Sequence, residues 1–238
     1  MKVFYNSSLK KSIYRDSVIA IGNFDGIHVG HKKVLQSALK KAKEANKKFG
    51  LLTFEPIPVM YFNKKIINHR IDSLSQKLLN LKKEKLDFII VQKFNKKFSK
   101  INYKEFISKI LFKNIGCKYI YVSKNFKFGN KREGNVKHLI ANEKKYSYRT
   151  VVTSAVKQNK KTISSTKIRE LIKNGNISQA NKLLNRKWEV SGKVIRGSKR
   201  GRKIGFPTCN ILMKNYVLPK LGVYAVNVKI NKILKKGI

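Results

Sequence analysis

Short apolar runs alternate with segments of helical period along most of this chain, and that alternation limits the folds open to it. Residues 17–22, Ser-Val-Ile-Ala-Ile-Gly, carry almost no polar interruption. A strand that reads this way is buried on both faces, as in a parallel sheet covered by helices. Residues 32–47 follow, with Val34, Leu35, Leu39 and Ala42 at helical spacing. The pattern repeats, with strand-like runs at 49–54, 87–91, 118–122 and 148–154 and helical segments at 73–85, 103–112 and 136–145. Glu55-Pro56-Ile57-Pro58 stops the second run, because proline fixes φ and donates no backbone hydrogen bond. Strand and helix in this order predict an α/β fold, a Rossmann-like domain with a parallel sheet.

Near residue 163 the text changes. Ser164-Ser165-Thr166 stands before Ile168, Leu171 and Ile172, an N-cap signal, and 177–184 reads as a further helix. From Trp188 onward the chain is strand-like and punctuated by glycine, at 188–197, 208–212 and 223–230. The expected domains are therefore 1–186 and 187–238. About fifty residues are marginal for an independent core.

The formal net charge is +43, yet 42% of the residues are hydrophobic. A disordered polycation is excluded by that apolar share. Lysines run from end to end instead of clustering, whereas a nucleic-acid reader concentrates its charge and uses arginine for bidentate contacts. No specific nucleic-acid partner is expected, only non-specific polyanion binding at low salt. The densest basic run, 193–203, reads as a phosphate-binding loop more than as a helix. No window approaches the ~20 apolar residues of a membrane span. Residues 1–16 are polar and broken, without the apolar core of a secretory signal. Two cysteines, Cys117 and Cys209, build neither a disulfide framework nor a zinc cluster, so a reducing, cytoplasmic setting is expected.

The most informative segment is Gly22-Asn23-Phe24-Asp25-Gly26-Ile27-His28-Val29-Gly30-His31. It leaves the carboxyl end of the first strand and opens a helix, the edge at which open α/β sheets bind ligands. Gly26 and Gly30 allow phosphates near the backbone, the helix start offers N–H donors, and two imidazoles can stabilise charge on a phosphoryl group. The spacing is not that of a Walker loop. A zinc pair would need two further ligands, and none stands nearby. An exposed or core-filling His-x-x-His is the bland alternative.

That whole string resembles the nucleotidyltransferase signature of bacterial FAD synthetases, the bifunctional riboflavin kinase/FMN adenylyltransferases. Thr53-Phe54-Glu55-Pro56-Ile57-Pro58, the stretch Asn125 to Gly134, and Ile163-Ser164-Ser165-Thr166-Lys167-Ile168-Arg169 resemble its next three motifs, in the same order. The resemblance implies adenylyl transfer from ATP to FMN, giving FAD and pyrophosphate, with Mg²⁺. It implies that His28, His31 and Arg169 are catalytic. It implies that Gly22, Phe24, Asp25, Gly30, Asn125, Ser164, Ser165 and Thr166 bind ATP. Phe62 and Phe128 are the candidates to wall the flavin. Two departures stand out: Ile57 where the family usually has His, and Ser123 where Gly is common.

Residues 190–197, 201–210 and 219–224 resemble the start of the riboflavin kinase domain, an incomplete antiparallel β-barrel. There the resemblance implies that Thr208 and Asn210 ligate Mg²⁺ and that Gly197, Gly201 and Arg202 belong to a loop over ATP. The family's later strands and catalytic Glu are missing, and the one acid after Glu170 is Glu189, so weak or absent conversion of riboflavin to FMN is expected. The competing readings are another nucleotidyltransferase of the same superfamily, or a polyanion- or RNA-binding protein with a vestigial nucleotide site.

Overall fold

In the computed structural model, the described residues are 1–6, 14–158, 161–198, 200–203, 205, 208–231 and 233–238. Six strands form one parallel sheet: β1 (Lys2–Tyr5), β2 (Val18–Ile21), β3 (Phe49–Glu55), β4 (Phe88–Lys93), β5 (Tyr119–Ser123) and, after the short antiparallel ladder of β6 (Lys127–Phe128) and β7 (Gly134–Asn135), β8 (Arg149–Thr153). Their spatial order is β1-β4-β3-β2-β5-β8. The chain steps outward from β2 through β3 to β4, then returns to the other side of β2 for β5 and β8. Strand order thus reverses between β2 and β5, which opens a crevice at the carboxyl ends of those strands.

Alternate residues of each strand face opposite sides, and both sides are covered. Ile19, Ile21, Leu52, Ile90 and Val122 meet the helix over Phe106–Ile115 on one face. Val18, Ala20, Leu51, Ile89 and Tyr121 meet α1 (Val29–Glu44) and α3 (Leu74–Lys82) on the other. Between α1 and α3 lies the short α2 (Pro58–Phe62). At 103–112 the structure differs from the α-helix expected. After α4 (Lys96–Ser99) and the single turn α5 (Tyr103–Glu105), residues Phe106–Ile115 form a π-helix. Its wider i→i+5 turn brings the buried Ile110 and Ile115 onto one side. α6 (Val136–Ala141) and α7 (Glu143–Tyr146) divide the segment read as one helix at 136–145.

Gly50 on β3 lies opposite Phe88 on β4, and a Cβ at position 50 would collide with the Phe88 ring. The ring is fully buried. Overpacking of this kind costs roughly 1–3 kcal/mol. Gly50→Ala is therefore expected to lower the unfolding free energy by about that amount, read from a urea denaturation curve.

Past the short ladder β9 (Lys157–Gln158) and β10 (Lys161–Thr162), helices α8 (Ser165–Lys173) and α9 (Ile177–Leu184) pack together with Ile71 and Val217 in a third core. The remaining part holds separate antiparallel ladders, β11 (Val194–Ile195) with β12 (Asn210–Ile211) and β13 (Val226–Ile230) with β14 (Ile233–Gly237). This is the form taken by the expected antiparallel domain. The basic run read as a loop contains a one-turn helix, α10 (Arg200–Lys203). Among the described residues, no helix is long and apolar enough to cross a membrane.

Candidate active site

A cleft of about 690 Å³ opens where the parallel strands end. Residues just past β2 (Gly22, Phe24), β5 (Asn125) and β8 (Ala155) line it. The start of α1 (His28, Gly30, His31) and the residues before α8 (Ser164, Ser165) complete its polar side.

His28 is the N-cap of α1, and its Nδ1 accepts a hydrogen bond from the His31 backbone N–H at 3.3 Å. Burial lowers the His28 pKa to about 4, Asp25 opposing and Arg169 adding to the effect. The ring is therefore neutral near pH 7. With Nδ1 accepting, the hydrogen-bond network assigns its proton to Nε2, leaving a donor there. His31 stacks on it with ring centroids 3.7 Å apart. Burial first, and then His28, Lys77 and Arg169, hold the His31 pKa well below its usual value. The His31 Nδ1 is buried without a partner. Gly30 admits this packing, since a Cβ there would press on the His28 ring at 3.0 Å.

Both imidazoles titrate below the value they have in an unfolded chain. Between about pH 4 and 6.5 the unfolded chain consequently binds more protons, and stability rises with pH through that window. Unfolding free energies from urea curves are expected to fall from pH 7.5 to pH 5, by about 2 kcal/mol for His28 alone. His28→Gln should flatten the dependence.

The loop between β2 and α1 is held from beneath. Phe24 (φ 46°) and Ile27 (φ 41°) adopt left-handed backbone conformations, each costing about 1–3 kcal/mol, and Gly26 (φ 85°) does so without a side chain. Lys77 Nζ donates to the Asn23 carbonyl at 2.9 Å, and Thr53 Oγ1 donates to it at 3.0 Å. Lys77 is fully buried, which lowers its pKa against the pull of Asp25 and Glu55. Arg186 Nη2 reaches the Gly26 carbonyl at 3.2 Å.

Asp25, expected to bind ATP, is 1% exposed and lies under the loop. Its carboxylate accepts from the Ile71 and Asp72 backbone N–H groups at 3.2–3.3 Å and from Arg169 Nη2 at 2.6 Å. Arg169 in turn donates through Nε to the His69 carbonyl at 2.7 Å. Two edges of its guanidinium are thus occupied inside the protein. Arg169 and Thr166 line a smaller pocket of about 310 Å³ with His69 and Asn23. Ser165, expected to hold phosphate, instead gives its hydroxyl proton to the Asp25 carbonyl at 2.9 Å. Ser164 accepts from Lys167 N–H at 3.2 Å as the N-cap of α8, which leaves its own hydroxyl proton available. Neither α1 nor α8 carries an acid in its first turn. Two uncompensated helix N-termini at one cleft favour an anion.

The opposite side of the cleft is aromatic. Phe62 is 64% exposed on α2, edge-on to Phe94 at 5.6 Å, and Phe94 meets Phe98 at 5.7 Å. Phe128 also lines the cleft, although it is otherwise buried between Phe106 and Phe126. Sequence reasoning missed Phe94 and Phe98, which belong to no recognised motif. It also missed Lys77, which stands at helical spacing with Leu74 and Leu81 and so shares their apolar face.

The candidates of the second part lie elsewhere. Thr208 and Asn210 are exposed at β12, and Gly197 backs directly onto the Asn210 amide. Gly201 lies in α10. The Arg202 side chain, with Phe206 and Pro207, falls outside the described residues. Among the described residues, no cluster of three or more His, Cys, Asp or Glu is arranged to hold a metal ion.

Comparison with known proteins shows the family. Residues 10–167 match the family described as FAD synthetase, and residues 184–238 the family described as riboflavin kinase. A bifunctional riboflavin kinase/FMN adenylyltransferase of Buchnera aphidicola subsp. Schizaphis graminum is 37% identical over 229 residues, covering 96% of this chain and 73% of that protein. One from Haemophilus influenzae is 38% identical, covering 92% and 71%. A crystal structure described as a macrolide-efflux protein from Streptococcus pneumoniae has a TM-score of 0.86 at 27% identity, over 99% of this chain and 77% of that one.

Proposed function

Because the chain belongs to the bifunctional riboflavin kinase/FMN adenylyltransferases, it is an FAD synthetase, and we propose that its sheet-edge cleft is where FMN attacks ATP. A phosphate oxygen of FMN forms the new bond to the α-phosphorus. The bond from that phosphorus to the bridging oxygen of the β-phosphate breaks, and pyrophosphate leaves. No protein nucleophile is required, so the side chains contribute position and charge stabilisation.

The observation that carries this reading is the stacked imidazole pair beside two acid-free helix N-termini. His28 donates from Nε2, and His31 supplies a second donor, to charge developing on the α-phosphoryl group. The Ser164 hydroxyl and the first N–H groups of α8, at Ser165 and Thr166, take the β- and γ-phosphates. Gly22, Phe24 and Gly30 shape the nucleotide cradle, and Asn125 orients the nucleotide. Phe62 and Phe128, joined by Phe94 and Phe98, wall the isoalloxazine. Asp25 and Arg169 hold the loop in register, and the remaining Arg169 donors serve the leaving pyrophosphate.

Among the described residues, no cluster of three or more carboxylates, histidines or cysteines stands ready to cage Mg²⁺. The site suits an ion carried on ATP phosphates and water, as is usual for Mg²⁺, whose chemistry is to neutralise phosphate charge. For the riboflavin-kinase-like part, Thr208 and Asn210 are the candidate Mg²⁺ ligands, with Gly197, Gly201 and Arg202 over ATP. We assign 1–186 to adenylyl transfer and 187–238 to the kinase-like domain.

The test is pyrophosphate release with FMN, ATP and Mg²⁺. The expected result is saturable turnover with one FAD per pyrophosphate. No turnover, with RNA binding that falls steeply with salt, would overturn the reading. Riboflavin in place of FMN assays the kinase-like part separately, by the FMN that it yields.

A further inference from the structure

Residues 69–72 form a strap with two edges. One edge faces the nucleotide loop: the His69 carbonyl holds Arg169, and the Ile71 and Asp72 N–H groups hold the Asp25 carboxylate. The other edge faces the riboflavin-kinase-like part. The His69 and Arg70 N–H groups donate to the Asn215 carbonyl at 3.0 and 2.9 Å, and the Val217 N–H donates to the Arg70 carbonyl at 2.8 Å. Trp188 Nε1 donates to the Ile71 carbonyl at 3.0 Å. Tyr216 donates to Gln76 Oε1 at 2.6 Å.

Burial agrees with this bonding. Most of the second part is open to solvent, with Leu221, Val223, Ile233 and Leu234 all exposed. Among its described residues, Tyr216 and Val217 are the exceptions, at 3% and 0% exposed. Val217 packs in the same core as Ile71 and Ile168, and Ile168 precedes Arg169 on α8. These two residues therefore belong to the architecture of the first part.

We infer that Tyr216 and Val217 are positioning residues for adenylyl transfer, acting through the 69–72 strap on Asp25 and Arg169. The inference rests on the adenylyl-transfer reading above. Its energetic logic is that of a strained loop. Phe24 and Ile27 stay in unfavourable conformations only while their surroundings fix them, and the strap provides part of that fixation. Loosening the strap releases the ATP side of the cleft and leaves the aromatic side intact. The kinase-like part thereby tunes the affinity of the other part for ATP.

The experiment compares the full chain with its Val217→Ala, Tyr216→Ala and Tyr216→Phe variants, and with Val226→Ala on the solvent-exposed hairpin as a control. KM for ATP and for FMN are measured separately at low temperature, with circular dichroism confirming that each variant is folded. KM for ATP is expected to rise roughly 3- to 30-fold in both alanine variants. KM for FMN should stay within about twofold of the parent, and Tyr216→Phe, which keeps the buried ring but loses the hydroxyl bonded to Gln76, should fall between the parent and Tyr216→Ala. An unchanged KM for ATP, or an equal rise for both substrates, would overturn the inference. Absence of FAD from the unmodified chain would overturn the underlying reading as well. If the alanine variants do not fold, amide exchange in the unmodified chain decides. A non-hydrolysable ATP analogue should slow exchange at Ile71, Asp72 and Val217 together, and protection that stops short of Val217 would refute the coupling.

Discussion

His31→Ala is expected to lower the rate of FAD formation about 10²–10³-fold at saturating ATP and FMN, the usual loss for one donor to a developing oxyanion. The expectation follows from the neutral state of the pair. A charged imidazolium would bind ATP and its transition state alike, and its removal would appear mainly in KM. The imidazole here is kept neutral by burial and by its neighbours, so it contributes most when charge accumulates on the α-phosphoryl oxygens. The unpartnered His31 Nδ1 adds to this. A buried polar nitrogen left unpaired costs about 1–3 kcal/mol, and any rearrangement that pairs it with a phosphoryl oxygen offsets that cost. Single-turnover rates at saturating substrate check the point. A His31→Ala enzyme with parental kcat and a raised KM would show that the ring binds substrate without assisting the chemistry.

Asp25→Ala is expected to have the largest effect on stability. Arg169 would lose the carboxylate of a pair that is nearly excluded from water, and the Ile71 and Asp72 N–H groups would lose their acceptor. Breaking a buried pair from one side costs about 3–5 kcal/mol, because the other charge stays buried and uncompensated. For a chain of this length that corresponds to a fall in Tm of roughly 6–20 °C. Adenylyl transfer should fail even below the lowered Tm, because the loop bearing His28 and His31 loses its anchor. Asp25→Asn, which keeps one acceptor oxygen, should fall between parent and alanine variant. A Tm within about 1 °C of the parent for Asp25→Ala would show that the pair contributes nothing net.

The parallel sheet was legible because strands buried on both faces must be apolar throughout, as at Val18–Ile21 and Phe88–Val91. The edge strand β1, Lys-Val-Phe-Tyr, was not legible. It is four residues long, and exposed at both ends. The histidine loop was readable as a phosphate cradle from its glycines and its position after a strand. What holds the cradle was not. The Ile71 and Asp72 contacts come from backbone N–H groups, which leave no trace in residue type. Asp25 and Arg169 are 144 positions apart, and no periodicity links them. Lys77 did carry a signal, a charge on an apolar helix face, but lysines are so frequent in this chain that one more drew no notice. The π-helix escaped because apolar spacing at 106, 107, 110 and 111 fits an α-helix equally well.

The most direct measurement of the central claim is chromatographic. FMN and ATP are incubated with the unmodified chain and with a His28→Ala/His31→Ala double variant shown by circular dichroism to be folded. The account predicts FAD and pyrophosphate in equal amounts from the first, and from the second no more FAD than the uncatalysed mixture gives. FAD formation by the folded double variant at the parental rate would contradict it.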